Sequence, residues 1–338
     1  MVHAMSPPGL AIEATGLGRS FGEKTAVSEV DLRIEYGETF GFLGPNGAGK
    51  TTCVRMLATL LQPTSGTASV AGFDVATDPA AVRLRIGVAL QATATDPKQS
   101  GREYLDLQGR LYGLRHDERH RRIDEIAEMV DIGDALDQRI GTYSGGMARR
   151  VDLAGALVHQ PQVVFLDEPT TGLDPASRIR VWNEIERLNT DEGTTVFLTT
   201  QYLEEADALA RRIGIIDQGH IVAKGSPEEL KRSLGHDVIV ADVEGDCSTA
   251  LAALQGTPGV EHVESMAGEV LVHSTDGPAT IGAVAVRLHE AEVPLRNLSL
   301  RRPTRDDVFL ELTGNRINPD DEAEPAQGGP APDAEVTA

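Results

Sequence analysis

Short apolar runs alternate with amphipathic stretches from residue 9 to about 235. The runs at 40–43, 86–90, 163–166, 196–199 and 213–217 read as strands. Several are apolar at nearly every position, the pattern of strands covered on both faces. Such strands separated by helical stretches predict a parallel sheet with crossover helices. Helices are predicted at 51–61, 147–159 and 176–188. In the last of these, Ile179, Trp182, Ile185 and Leu188 fall at three-residue spacing, which predicts a core stripe. Between about 96 and 141 the strand signal stops. Two helical stretches, 101–112 and 118–130, predict a helical insertion in the α/β domain. Arg119, Arg121 and Arg122 are expected on its solvated face. Ser226-Pro227-Glu228-Glu229 is a capping box with proline at the first helical position, opening one more short helix.

Residues 236–314 follow a different rhythm. Strands are predicted at 238–243, 260–266, 269–275 and 295–301, with helices near 247–254 and 279–291. The order βαββαβ predicts a small α+β accessory domain of the split, ferredoxin-like kind. Residues 1–8 read as a loose leader. From 315 to 338 proline, glycine and acidic residues dominate and aromatics vanish, so a disordered acidic tail is expected.

Composition narrows the function. The 338 residues carry a net charge of −21, which argues against a nucleic-acid partner bound through a basic face and against direct binding of anionic lipid. Cys53 and Cys247 cannot build a disulfide framework, and no Cys/His cluster has zinc spacing. Cys53 is expected simply to pack inside its helix. No apolar run approaches the ~18 residues of a spanning helix, and no secretion signal precedes residue 9. A protein of a reducing interior, with no direct membrane insertion, is expected.

The chemistry begins at Gly44-Pro45-Asn46-Gly47-Ala48-Gly49-Lys50-Thr51-Thr52. An apolar strand precedes this phosphate-binding loop and a helix follows it, the context such a loop requires. The glycines let backbone N–H groups turn inward, and the helix N-terminus adds partial positive charge. Lys50 would reach the β- and γ-phosphates of a nucleoside triphosphate, and Thr51 would hold Mg²⁺. The run at 163–166 ends in Asp167 and Glu168. Adjacent strand residues point to opposite faces, so Asp167 suits the Mg²⁺ shell and Glu168 a base that polarises a water. Ser144-Gly145-Gly146 caps a third helix and offers a second anion site.

The phosphate loop, the Ser144-Gly145-Gly146 turn and Leu166-Asp167-Glu168-Pro169-Thr170-Thr171-Gly172-Leu173-Asp174, in that order, resemble the ATP-binding subunit of an ABC transporter. Tyr143-Ser144-Gly145-Gly146-Met147, the segment 199–207 and the segment 306–314 resemble the daunorubicin-resistance type of drug-export ATPase. The resemblance covers residues 9–314. It implies a P-loop ABC ATPase that binds ATP and Mg²⁺ and works as a head-to-tail homodimer, Ser144, Gly145 and Gly146 gripping the γ-phosphate of the partner copy. It implies that Gln91 touches Mg²⁺ or the attacking water, that Phe21 stacks on adenine and that Asp174 signals across the dimer. Asp174-Pro175 is equally a helix cap and first position. Gln201 stands where most such ATPases have a switch histidine, and Met147 where most have glutamine. The implied partner is a membrane-spanning permease on a separate chain, with the ATPase on the cytoplasmic face of the membrane. A soluble non-transport ABC ATPase and a non-catalytic ATP-dependent sensor are the competing functions.

Overall fold

The computed structural model describes residues 9–91, 95–234, 237–243, 247–266, 269–274 and 276–301. The leader, the 306–314 motif and the tail from 315 lie outside the described residues. The chain opens with two long strands, β1 (Leu10–Phe21) and β2 (Lys24–Glu35). β3 (Thr39–Leu43) leads through the phosphate loop into α1 (Lys50–Leu57), and β4 (Ser65–Val70), β5 (Phe73–Asp74), α2 (Pro79–Arg83) and β6 (Ile86–Ala89) follow. The insertion contributes α3 (Gly101–Leu111) and α4 (His116–Met129). Then come α5 (Gly145–Leu157), β7 (Val163–Asp167), α6 (Pro175–Glu192), β8 (Thr195–Thr200), α7 (Leu203–Leu209), β9 (Arg212–Asp217), β10 (His220–Gly225) and α8 (Pro227–Leu234).

Six strands pair in the order β10-β9-β3-β8-β7-β6, and β9 through β6 run parallel, as the doubly apolar runs predict. Every residue of β3, β7 and β8 is buried. On one face Phe42, Phe165 and Phe197 nest with centroids 5.5 and 5.7 Å apart. Burying each stabilises the sheet by up to about 3 kcal/mol. On the other face Val164, Leu166, Val196 and Leu198 meet α5 and α6.

A second sheet, antiparallel in the order β2-β1-β4-β5, was not read from the sequence and joins the expected parallel one. Register shifts on either side of Leu17 break its alternation, so no clean apolar run announces it. α1 buries Cys53, Val54, Met56 and Leu57 in the core shared by the two sheets. That helix stops at Leu57 rather than at 61. Thr59 turns left-handed at φ 61°, and the N–H groups of Leu60 and Leu61 both return to Arg55 O, closing the end.

Two further expectations fail. Arg119 and Arg122 are buried rather than solvated: Arg119 pairs with Asp106, and Arg122 reaches Glu192 at 3.0 Å. On α6 Ile179 is exposed, and the buried stripe is Val181, Ile185 and Leu188.

Residues 237–301 form β11 (Asp237–Val243), α9 (Cys247–Leu254), β12 (Val260–Met266), β13 (Glu269–Ser274), α10 (Gly277–Glu290) and β14 (Leu295–Arg301). The order is βαββαβ, with an antiparallel sheet β12-β13-β11-β14. Its own core joins Ile239, Ala241, Val270 and Val272 to Leu254 and Val284. Among the described residues no helix is long and apolar enough to cross a membrane.

Candidate functional site

Parallel strands end on the same edge, and β3, β8, β7 and β6 are neighbours there. Their carboxyl ends therefore bring together the phosphate loop after β3, Thr199 and Thr200 on β8, Asp167 and Glu168 at β7, and Gln91 just beyond β6. This is where open α/β sheets bind ligands. A cavity of about 700 Å³ opens on this edge, lined in part by Asn46, Gly47, Gly49, Lys50, Thr51, Thr52, Gln91 and Glu168. Gly49 holds φ 108°, and a Cβ there would lie 2.6 Å from Ala26 O, so only glycine turns the loop into α1 at this point.

Lys50 is the buried cation of the site. Its Nζ donates to Gly44 O at 2.7 Å and Pro45 O at 3.1 Å, and pairs with Glu168 Oε1 at 3.3 Å. Burial pulls its pKa down, against the opposing pull of Glu168 and Asp167. Glu168 Oε2 accepts from Gln91 Nε2 at 3.3 Å and from Thr171 Oγ1 at 3.4 Å. Its backbone stands at φ 50°, a left-handed conformation rare for a non-glycine residue. Lysine from the start of α1, glutamine from beyond β6 and glutamate from beyond β7 thus converge on the cavity.

Asp167 turns away from Glu168, as strand alternation predicts. Its Oδ1 accepts from Thr199 Oγ1 at 2.6 Å and from Thr51 Oγ1 at 3.2 Å. Its Oδ2 is buried with no hydrogen-bond partner. An orphaned carboxylate oxygen beside a threonine hydroxyl is a hard oxygen donor set that fits Mg²⁺. Phe21 is not core. It ends β1 at a two-residue turn, is 48 % exposed and lines the cavity, with Arg19 4.7 Å over its ring.

The remaining expected residues lie elsewhere. Gln201 is half-buried past the end of β8 and does not line the cavity. Ser144, Gly145 and Gly146 form the N-terminus of α5, outside the cavity, where Ser144 Oγ accepts from Met147 N at 3.2 Å. Gly146 lies against α6: a Cβ on it would come 2.9 Å from Ser177 Oγ. Asp174 caps α6, accepting from Ser177 N at 3.0 Å, and hydrogen bonds from Ser177 hold its carboxyl below the usual range. The turn and Asp174 thus both adjoin Ser177, and neither lines the cavity.

Several site residues escaped the sequence reading. Lys24, Thr25 and Gln218 line the cavity. Thr199 joins Asp167 to β8, signalled only by a hydroxyl inside an apolar run. Glu205, fully buried on α7, accepts from Thr170 Oγ1 at 2.8 Å and Trp182 Nε1 at 3.0 Å, which fixes the loop after Glu168. Burial raises its pKa. It lies within the segment 199–207, but nothing there signals its burial or its partners.

A phosphate loop on a parallel sheet, facing an acidic strand end, defines a P-loop ATPase. More narrowly, the chain belongs to the ABC transporter ATP-binding family. The family described as ABC transporter matches residues 27–171, and that described as ATP-binding protein DrrA1-3-like, C-terminal domain, matches 225–313. The chain is 46% identical to daunorubicin resistance ATP-binding protein DrrA3 of Streptomyces coeruleorubidus, covering 90% of this chain and 96% of that one. It is 35% identical to linearmycin resistance ATP-binding protein LnrL of Bacillus subtilis (strain 168), covering 90% and 99%. Nod factor export ATP-binding protein I of Ralstonia nicotianae is 34% identical, covering 92% and 98%. In fold, the chain resembles a solved ATP-binding subunit of an ABC transporter with TM-score 0.61 at 24% identity, covering 66% of this chain and 92% of that one. A dimeric cassette solved in a post-hydrolysis state with ADP and Pi gives TM-score 0.58 at 24% identity, covering 64% and 98%. The chain is an ATP-binding enzyme that hydrolyses ATP.

Proposed function

We propose that the chain is the energy-coupling subunit of an exporter for an antibiotic or another amphiphilic compound. It acts as a head-to-tail homodimer with a separate membrane-spanning permease, on the cytoplasmic face of the cell membrane. The carrying observation is the divided site: the cavity holds Lys50, Gln91 and Glu168, while the Ser144-Gly145-Gly146 turn and Asp174 lie outside its lining. A second copy turned head to tail completes both. Relatives named for daunorubicin resistance, linearmycin resistance and Nod factor export support the cargo class. The separate cores support a nucleotide-binding domain at 9–235, with its insertion at about 96–141 toward the permease, and an accessory domain at 236–314.

In this reading Phe21 stacks on adenine, and the backbone of Gly44–Thr52 cradles the phosphates. Lys50 leaves Glu168 for the γ-phosphate. Thr51, Asp167 and Gln91 would hold Mg²⁺, which when bound would neutralise negative charge on the phosphates. Glu168, freed from Lys50, takes a proton from the water that attacks the γ-phosphorus as the bond to ADP breaks. Gln201, outside the lining in this structure, would have to swing toward the γ-phosphate to donate its amide N–H there, a positioning role without titration.

Glu168→Gln tests this. ATP binding should persist, turnover should fall at least about a hundredfold, and light scattering should find an ATP-bound dimer. Normal turnover would remove Glu168 from the reaction, and a monomer in ATP would remove the head-to-tail assembly. Co-purification of a permease chain with the tagged protein from solubilised membranes tests the partnership.

A further inference from the structure

Arg149 is a buried charge that the cavity does not display. It lies on α5, 8 % exposed, a little more than one turn past the Ser144 cap. Its guanidinium donates to backbone carbonyls: Nε to Pro169 O at 3.0 Å, Nη2 to Asp167 O at 3.1 Å, and Nη1 to Leu90 O. Nη1 also meets Asp152 Oδ2 at 3.4 Å, which supplies the compensating charge.

The three carbonyls are not scattered. Asp167 and Pro169 flank Glu168, and Leu90 precedes Gln91. One planar fork therefore fixes the peptide group leading into Glu168, the one that follows Pro169 and the one leading into Gln91. Glu168 needs such a constraint. A non-glycine residue at φ 50° keeps that conformation only where its surroundings over-determine it. Arg149 also stands on the helix whose N-terminus is the Ser144-Gly145-Gly146 turn, and a helix moves as a rigid body.

We propose that Arg149 is a positioning residue that registers Glu168 and Gln91 and ties them, through α5, to the Ser144-Gly145-Gly146 turn. Events at the turn then shift the carboxylate of the same chain. This coupling rests on the head-to-tail reading; the registration does not. A lysine would keep the charge but not the fork, because one ammonium cannot span carbonyls on two loops.

The test compares full-length wild type with Arg149→Lys and Arg149→Gln. For each, melting temperature, affinity for a non-hydrolysable ATP analogue, kcat, KM and the Hill coefficient for ATP are measured. Arg149→Lys should keep affinity within about threefold, with a near-normal melting temperature. It should lose at least about tenfold in kcat at little-changed KM, the scale of a small misplacement of reacting groups. Its Hill coefficient should fall toward one. Wild-type kcat overturns the proposal, and so does a kcat loss matched by equal losses of affinity and melting temperature. If the lysine variant does not fold, Arg149→Gln must show the kcat loss, and wild-type kcat there overturns it equally. Glu168→Gln separates the two readings. If ATP fails to dimerise it, head-to-tail assembly falls while the kcat result still decides registration. If it dimerises and Arg149→Lys keeps a wild-type Hill coefficient, the coupling falls alone.

Discussion

At the scale of single residues, Thr199 shows how much rests on one hydroxyl. Its Oγ1 donates to Asp167 Oδ1 at 2.6 Å and accepts from Glu168 N at 3.0 Å, so it ties both acids of β7 to β8. Thr199→Val keeps the shape and removes both bonds. A buried carboxylate oxygen then loses its shortest contact, at a cost of about 1–3 kcal/mol. Urea unfolding should show that loss, and ATPase assays a kcat about tenfold lower. Unchanged stability and kcat would mean that Asp167 is held by Thr51 alone. Lys50, Thr51, Asp167 and Glu168 were legible in the sequence because each sits in a short contiguous motif with a fixed strand or helix beside it. Thr199, Glu205 and Arg149 were not. Their partners lie 18 to 35 residues away in most cases, and nothing in a helix face tells a paired buried charge from a solvated one. Arg119 and Arg122 misled for this reason.

At the scale of elements, legibility followed burial. The parallel strands read correctly because both faces are covered, which leaves an unbroken apolar run. β1, β2 and β4 are covered on one side and shifted in register, so their periodicity blurs. The α6 stripe read correctly at Ile185 and Leu188 but not before them: Ile179 is exposed, Val181 is buried, and Glu184 went unnoticed. Glu184 is 4 % exposed, its Oε2 lacks a hydrogen-bond partner, and burial pushes its carboxyl up to about 7, with Arg150, Arg187 and Arg180 pulling the other way and Asp131 adding to the rise. The folded state therefore holds this proton where the unfolded chain, with a glutamate pKa near 4.3, has released it. The contribution is fully present below that unfolded value and is lost as pH rises toward 7, up to about 4 kcal/mol beyond it. Glu184→Gln carries no such proton. Its stability relative to wild type should be near zero at pH 4 and strongly positive at pH 8. Equal differences at the two pH values would show that folding leaves the carboxyl's proton affinity unchanged.

At the scale of the whole chain, α8 decides where the ATPase unit ends. The accessory-domain family begins its match at residue 225, which would assign α8 to the C-terminal part. The packing assigns it to the other. Leu230 on α8 is 6 % exposed and belongs to the cluster of Leu43, Leu203, Ala206 and Ile213, at the edge where β3 and β9 meet α7. The capping box that opens α8 forms as its residues predict, with Ser226 N donating to Glu229 Oε2 at 2.8 Å and Glu229 N to Ser226 Oγ at 3.1 Å. β11 starts a separate sheet whose core shares no residue with this cluster. A chain ending at 235 should therefore be soluble and hydrolyse ATP, with its dimerisation or coupling altered. A chain ending at 225 loses Leu230 and exposes the apolar group beneath it, a cost of about 2–5 kcal/mol by analogy with deleting a buried leucine. Removing only 315–338, whose composition cannot bury a core, should change neither melting temperature nor turnover. Melting curves and ATPase rates for the three truncations rank them. An insoluble 1–235 chain, or a 1–225 chain as stable as it, would move the boundary from the loop after α8 to the start of that helix.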